Sequence, residues 1–346
     1  EAAEAAESAS TPAKAKKGGA KKKKDDDAPK DDTLAGELGC DAAQAEADSD
    51  ALLALGETVL APSSLVGSYA PLIVAICTNA DGAYPAPLRR AATLALCKCM
   101  CASATFCEGQ LRLLFTLMQR ETEVQVRANI AVALGDLVVR HANLLAPWTS
   151  HLYAQLRDTD ARVRKTILMV LTHLILNEMI KVKGQVAEMA LCLLDDEPRI
   201  GALTRLFFTE FAKKSSSPVY NLLPDIMSSL SANPSVTPRA FREVMGFLIG
   251  FIQKEKQTES MVDKLCSRFG ASDDVARDRD VAYCLAALSH SERTVKKLHE
   301  HVKSYQNKLA DEEVHEHFAS IVAKARPAAP PRPRAPQPRP GRPAPA

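Results

Sequence analysis

The sequence predicts an all-α protein made of repeated helix pairs, and three observations carry this prediction. A hydrophobic residue followed by arginine recurs at Leu88, Val126 and Val163, in steps of 38 and 37 residues. Each recurrence begins a row of mostly apolar residues at offsets 0, 4, 8 and 11, which is the spacing of one face of an α-helix. Glycine supplies only 15 of the 346 residues, and a chain rich in Ala and Leu favours helices over sheets with tight glycine turns.

A second amphipathic segment precedes each of these helices, so the predicted unit is a helix pair. We predict the first helices of the pairs at residues 69–77, 110–118, 148–156 and 186–194. Short polar strings separate the two helices of a pair, for example Glu121-Thr122-Glu123 and Asp158-Thr159-Asp160. The side chains of the second string can cap the helix that follows it.

Beyond residue 200 the register loosens, but the pattern continues. Ile200, Phe241 and Val281 keep the repeated position, at steps of 41 and 40 residues after Ile200. Further helices are predicted at residues 218–231, 238–253, 261–269, 277–289, 293–309 and 312–325. A two-helix unit of 37 to 40 residues that is buried only by stacking predicts a HEAT-type α-solenoid of stacked antiparallel helix pairs. We expect roughly five to six such pairs.

Composition divides the chain into four segments. We expect the Lys/Asp-rich residues 1–34 and the Pro/Arg-rich residues 327–346 to be disordered, since neither segment can bury enough apolar surface to offset the entropy of ordering. Residues 35–68 are predicted as a linker with an added helix, and residues 69–326 as the solenoid. Because the chain begins at Glu1 without Met, we expect it to be a piece of a longer protein.

Several classes of function have no support in the sequence. The longest apolar stretches, such as residues 71–77, are far short of the roughly 20 residues that a membrane span requires. The nine cysteines are odd in number and follow no secretory signal, which favours a reducing intracellular compartment. We find no glycine-rich phosphate loop, nucleophile elbow or spaced acid pair. We therefore predict a protein that is not an enzyme and has no catalytic residue, cofactor, small-molecule substrate or membrane contact.

Two local clusters contain metal-ligating residue types, but their spacing argues against a metal site. Helical geometry places Cys97 and Cys101 on one face and turns Cys99 away from them, so buried structural cysteines are predicted. The His-Glu-His strings at residues 299–301 and 315–317 set their two histidines roughly 200° apart around a helix. We interpret these strings as solvated helix surface.

Basic residues are the candidate binding groups. The repeated arginines Arg89, Arg127 and Arg164 can either face a ligand or bond the preceding inter-helix turn, and the sequence leaves both roles open. For DNA phosphates we select residues that we expect to share one rim of the array, with a scattered solvated surface as the alternative: Arg162, Arg164, Lys165, Lys181 and Lys183. Lys and Arg neutralise phosphates and release counterions whatever the base sequence. Lys213-Lys214 is a weaker example of the same pattern.

Several longer strings go beyond a generic solenoid. They include GQLRLLF at 109–115, PWTSHLY at 147–153, DARVRKTILMV at 160–170, IKVKGQ at 180–185, YNLLPDI at 220–226 and KQTES at 256–260. Together with similar strings they extend over about residues 35–325 and resemble the HEAT-repeat, non-SMC subunit 1 family of condensin I, in its carboxy-terminal part.

The resemblance implies a non-catalytic scaffold and regulatory subunit of a ring-shaped chromosome motor. Its implied partners are the condensin kleisin, the SMC ATPase pair through the complex, and DNA or chromatin. Its implied location is the nucleus and the mitotic chromosomes, with the interphase cytoplasm as an open alternative. Two other functions stay open, namely the equivalent subunit of condensin II and a HEAT-repeat adaptor for transport or phosphatase assembly.

Overall fold

The computed structural model describes residues 42–79, 82–182, 184–214, 217–269 and 274–325. The chain divides into two units, of which the first ends at Leu52 and the second begins at Leu53. Of the first unit, residues 42–52 are described, and they are helical. The predicted Lys/Asp-rich segment and the predicted Pro/Arg-rich tail lie outside the described residues.

Helices joined by short turns make up the described parts of the chain, which confirms the all-α prediction. Helix α1 (Ala42–Val59) comes before the first pairs. Those pairs are α2 (Leu65–Thr78) with α3 (Ala86–Ala102), α4 (Ala104–Arg120) with α5 (Val124–Arg140), and a broken first helix with α8 (Ala161–Leu176). The broken helix consists of α6 (Ala142–Leu145), a 3-10 turn (Ala146–Trp148), α7 (Thr149–Ala154) and a second 3-10 turn (Gln155–Arg157).

The remaining pairs continue to the end of the described residues. In the fourth pair, α9 (Val186–Leu191) and its 3-10 extension (Cys192–Leu194) precede α10 (Pro198–Ala212). The fifth and sixth pairs are α11 (Pro218–Ser231) with α12 (Pro238–Ile249), and α13 (Glu255–Phe269) with α14 (Val275–Ala287). In the seventh pair, α15 (Glu292–Glu300), α16 (Val302–Tyr305) and a 3-10 turn (Gln306–Ala310) precede α17 (Glu312–Ala325). The described ranges thus contain seven pairs, more than the five to six expected. The irregular first helices and the looser register beyond residue 200 hide the additional pair in the sequence.

The second helices of successive pairs pack side by side. Helix α3 contacts α5, α5 contacts α8, and α8 contacts α10; further along, α12 contacts α14 and α14 contacts α17. The predicted apolar face is the buried one, and the residues at offset 8 are at most 1% exposed: Leu96, Leu134, Leu171 and Phe208. Each pair therefore buries its apolar face against its neighbours, which confirms the HEAT-type solenoid. None of the described helices is long and apolar enough to cross a lipid bilayer.

The segment predicted as a linker is more regular than expected. It contains α1, and α2 begins within it at Leu65, because the side chain of Ser64 accepts a hydrogen bond from the Gly67 amide at 2.9 Å and caps the helix. The turn before α2 also requires glycine at residue 67, where a Cβ atom would lie 2.0 Å from the carbonyl oxygen of Ala61.

The last turn of α1 provides an anion for the start of α4. The Glu57 carboxylate accepts hydrogen bonds from the amide of Ala104 at 2.6 Å and from the hydroxyls of Ser103 at 2.6 Å and Thr105 at 2.5 Å. An anion is favourable there, because the first amides of a helix lack intrahelical partners and carry a partial positive charge. The hydrogen bonds from Ser103 and Thr105 lower the pKa of Glu57 to about 2. The helix predicted in this segment therefore ends in contact with the helix pairs.

We expect Glu57→Ala to lower the free energy of unfolding by about 1 kcal/mol, because α4 loses the acceptor at its first turn. The folded-state pKa is depressed, so this contribution is present above the unfolded pKa of about 4.5 and is lost as the pH falls toward 2. Urea unfolding of both proteins at pH 7 and pH 4 measures the two effects. Glu108→Ala, at an exposed position of α4, is the control, and equal losses in the two variants would contradict the capping role.

Candidate binding edges of the helical array

The repeated arginine at the start of a second helix joins two successive inter-helix turns. Arg164 donates from Nε and Nη2 to the two carboxylate oxygens of Asp195, at 2.7 and 2.8 Å. Its Nη1 donates to the carbonyl oxygens of Asp158 at 2.9 Å and Thr159 at 3.2 Å. One side chain therefore clamps the turn of its own pair to the turn of the next pair.

Arg127 repeats the whole clamp, with its Nη1 atom donating to the carbonyl oxygen of Glu121 at 2.8 Å, whereas Arg89 and Arg279 repeat only the bond to the turn of the next pair. Arg127 donates to both carboxylate oxygens of Asp158, each at 2.9 Å, and Arg89 donates to Glu121 at 2.5 Å. Arg279 donates to Asp311 at 2.7 Å, although it stands two residues before the repeated sequence position at Val281. We call these four residues the arginine ladder: Arg89, Arg127, Arg164 and Arg279.

The ladder is interrupted at the fourth pair. Gly201 occupies the position where the three preceding pairs carry arginine. A Cβ atom at residue 201 would lie 3.2 Å from the carbonyl oxygen of Leu193. Here the helix start lies close to the preceding turn, and glycine has no side chain with which residue 201 could reach the next pair.

Within the ladder, Arg164 and Asp195 each stabilise the ionised form of the other. Burial opposes ionisation of Asp195, but hydrogen bonds from Arg164 and from the Glu197 amide outweigh it and lower the pKa of Asp195 below its usual range. The hydrogen bond to Asp195 in turn raises the pKa of Arg164. Of the two roles left open by the sequence, Arg127 and Arg164 take the bond to the preceding inter-helix turn, whereas Arg89 bonds the turn of the next pair. Arg164 consequently has protein partners in place of a DNA phosphate.

The five residues selected for DNA contact do not come together on one rim. Arg162, Arg164 and Lys165 lie in the first turns of α8, whereas Lys181 follows the other end of that helix. A helix of 16 residues is about 24 Å long. Lys183 lies outside the described residues. The expected single rim is therefore wrong for this set, because the connection that carries Lys181 starts from the carboxy-terminal end of α8.

Lys181 instead lies among lysines that follow the ends of other second helices. A cavity of about 710 Å³ is lined by Lys181 and Lys214, together with Phe211 and Leu222. Lys214 also lines a neighbouring cavity of about 280 Å³, whose other cations are Lys213 and Lys254. These lysines follow α8, α10 and α12, and we call them the lysine rim: Lys181, Lys213, Lys214 and Lys254.

The lysine rim has fewer internal partners than the arginine ladder. Lys214 pairs with Glu178 at 2.8 Å and Lys213 pairs with Glu210 at 2.7 Å. Lys181 and Lys254 are exposed, and neither forms a salt bridge with the described part of the chain. Cations are also favourable here because helix carboxy termini carry partial negative charge. Among the described residues, the two ends of the second helices thus form two different edges: the ladder edge is neutralised internally, and the other edge exposes Lys181 and Lys254 without a salt bridge.

A third feature, an exposed apolar row, was not predicted from the sequence. Leu94, Val132, Met169 and Leu206 lie six residues after the repeated position, on α3, α5, α8 and α10. Their exposed fractions are 46, 49, 53 and 57%, which separates them from the buried residues at offset 8. We call these four residues the apolar row. The four residues share one repeat position in the sequence, but offset 6 lies off the buried helix face that the apolar period predicts.

The cysteine and histidine clusters have local explanations. Cys97 is buried, and burial raises the pKa of its thiol to about 12; Cys99 and Cys101 are half-buried. The Nε2 atom of His301 lies 3.2 Å from a carboxylate oxygen of Asp263. Among the described residues, no group of three or more His, Cys, Asp or Glu side chains is arranged to hold a metal ion.

Comparison with known proteins points to one family. Residues 125–286, from α5 into α14, match the family described as non-SMC mitotic condensation complex subunit 1. The chain is 46% identical over 264 residues to Condensin-1 complex subunit CAP-D2 of Arabidopsis thaliana, covering 76% of this chain and 19% of that protein. It is 45% identical over 299 residues to Condensin complex subunit 1 of Homo sapiens, covering 85% and 21% respectively.

Similarity to Condensin-2 complex subunit D3 of Mus musculus is weaker, at 26% identity over 124 residues, which cover 36% of this chain and 8% of that protein. The chain spans about a fifth of the length of the Arabidopsis thaliana and Homo sapiens relatives.

We expect Arg164→Ala to lower the free energy of unfolding by about 2 kcal/mol, since it leaves the carboxylate of Asp195 without its partner in a largely buried site. The control is Arg162→Ala, two residues earlier on an exposed face, which should change stability by less than about 0.5 kcal/mol. Chemical denaturation of the full chain measures both values. Equal stability of the two variants would contradict the clamp.

Proposed function

This chain belongs to the condensin complex subunit 1 family, and from that premise we propose that it is a non-catalytic scaffold and regulatory subunit of condensin that supports mitotic chromosome condensation. The observation that carries the proposal is the 45% identity to the human subunit over 85% of this chain. The matched family region runs through five of the helix pairs, so the similarity includes the array itself and not only one short motif.

The proposed partner of the array is the condensin kleisin, with the SMC ATPase pair joined through the complex. A row of stacked helices offers a long surface built from equivalent positions, and an extended protein segment can use such a surface through many small contacts. The proposed location, which rests on membership of the condensin family, is the nucleus and the mitotic chromosomes.

We place the proposed DNA contacts at the lysine rim. Its cations follow the ends of three second helices, and Lys181 and Lys254 are exposed without a salt bridge to the described residues. Arg162 and Lys165 are less suitable, because they lie beside the apolar row and apolar side chains gain nothing from a hydrated phosphate backbone. Arg164 is excluded from the DNA site by its bonds within the ladder.

The equivalent subunit of condensin II is the closer of the two alternatives, but the identity to its D3 subunit is lower and covers a shorter part of the chain. A transport or phosphatase adaptor would share the fold and would bind a cargo or a catalytic subunit in place of the kleisin.

The proposed function is tested by co-purification. We expect the full chain, co-expressed with the kleisins of condensin I and condensin II in separate experiments, to retain the condensin I kleisin and to recruit the SMC pair through it. Retention of neither kleisin would contradict the scaffold role, and preference for the second kleisin would assign the chain to condensin II.

DNA binding at the lysine rim is tested by charge reversal. We expect Lys181→Glu/Lys254→Glu to weaken binding to duplex DNA and to reduce the slope of log affinity against log salt by roughly 2, about one per lysine lost. Lys303→Glu, at an exposed lysine of α16, is the control. An unchanged affinity and salt slope in the double variant would remove the rim from the DNA site. Lys183→Glu tests the remaining candidate of the same connection.

A further inference from the structure

The apolar row forms a narrow stripe across four helices. Single exposed apolar side chains are ordinary on protein surfaces, but here the same repeat position carries Leu, Val, Met and Leu in succession. The positions four residues before and after the row lie on the same helix faces and are charged, polar or small: Arg90, Ala128, Lys165, Ala202, Lys98, Asp136, His173 and Glu210. The stripe therefore crosses the helix axes and is bordered at these positions by hydrophilic or small residues, although exposed Val139 lies farther along the same face of α5.

The spacing of the row restricts the conformation of a bound chain. Neighbouring packed helices lie 8–10 Å apart, so the row offers one apolar contact at each such step. Three residues of a β-strand cover about 10 Å, but their side chains alternate and the third following residue points to the opposite face. A polyproline II helix returns to the same face every three residues, after about 9.3 Å. The row therefore fits a polyproline-type segment with an apolar side chain at every third position.

The charge beside the row restricts the composition of that segment. Arg162 and Arg199 stand seven residues before Met169 and Leu206, on the same helix faces. Both arginines are exposed, and neither forms a salt bridge with the described residues of the chain. Lys165 adds a third cation between Arg162 and Met169. A bound segment is therefore favoured when acidic side chains lie on this side of the row.

The chain's own Pro/Arg-rich tail does not meet these requirements. Residues 327–346 contain nine prolines, but they also contain four arginines, no acidic residue and no Leu, Ile, Val, Met or aromatic residue. The arginines would be repelled by the cations beside the row, and the alanines offer little apolar surface. Charge complementarity thus favours a segment of another protein.

We propose that the apolar row is the docking surface for an extended, acidic, polyproline-type segment of a partner protein that carries an apolar side chain at every third position. The proposal rests on the proposed scaffold function, which requires a surface for an extended partner segment, and it adds the conformation, spacing and charge of that segment. Leu94, Val132, Met169 and Leu206 contact the successive apolar side chains, while Arg162, Lys165 and Arg199 face the acidic ones.

The test uses the full chain and a fluorescein-labelled peptide made of four Leu-Pro-Glu triplets, with binding measured by fluorescence anisotropy. We expect Val132→Asp/Met169→Asp to weaken binding by at least about tenfold, because two apolar contacts at the centre of the interface become charged. Val322→Asp is the matched control, since Val322 is 52% exposed but lies on α17. A peptide of the same composition with its leucines at every second position should bind at least about tenfold more weakly than the triplet peptide.

Charge reversal tests the orientation of the acidic side chains. Arg162→Glu/Arg199→Glu should weaken binding of the Leu-Pro-Glu peptide and strengthen binding of a Leu-Pro-Lys peptide. Equal binding of the triplet and rearranged peptides would overturn the proposed conformation. Loss of duplex DNA binding in the row and arginine variants, with no change in peptide binding, would assign this face to nucleic acid and overturn the proposal.

Kleisin capture separates this proposal from the proposed function. If the unmodified chain captures the kleisin and Val132→Asp/Met169→Asp captures it equally well, the docking role of the row is wrong and the scaffold function stands. If the unmodified chain captures no kleisin but binds the triplet peptide through the row, the scaffold function is wrong and the surface stands. Loss of kleisin capture in the row variant, but not in Val322→Asp, supports both.

Discussion

Each helix pair of this array can bury its apolar face only against the pairs on either side of it. The second helices provide much of this burial. Helices α3, α5, α8 and α10 pack on one another in sequence, and each buries one large side chain at offset 8. Stability is consequently a sum of neighbour interfaces rather than the property of one central core. The edges of the array depend on this arrangement, because it determines which end and which face of each helix remain exposed and can contact a partner.

The two ends of the second helices differ in electrostatics for reasons that begin in the backbone. Amides without partners at helix starts attract carboxylates, and the turns supply Asp158 and Asp195 there, which in turn hold the ladder arginines. Carbonyl groups at helix ends attract cations, and lysines occupy the connections that follow. One edge is thereby neutralised within the protein, and the other keeps cations that can meet an external anion.

The period of the sequence was sufficient to predict the helices, their pairing and the buried face, because burial imposes the same spacing on every repeat. The period was not sufficient to predict which residues contact one another at the edges of the array. The role of Arg164 depends on Asp195, which is 31 residues away, and no local pattern indicates that contact. Lys181 and Arg162 are close in repeat register, but Arg162 lies at the start of α8 and Lys181 in the connection that follows its other end. Arg279 acts as a ladder residue three positions before the place that the other ladder arginines occupy. The apolar row lies at offset 6, off the buried face that the period defines.

The interruption of the ladder at Gly201 affects where along the array local unfolding can begin. Arginine clamps join the first four pairs to one another, and Arg279 supplies another clamp near the end. Between the described residues of the fourth and fifth pairs there is no arginine–carboxylate clamp, and the cation–π contact of Arg205 with Phe247 takes its place. In an array whose cooperativity passes only between neighbours, the weakest joint sets the boundary between folding units. The joint between the fourth and fifth pairs is therefore one position at which the described array can divide into cooperative units.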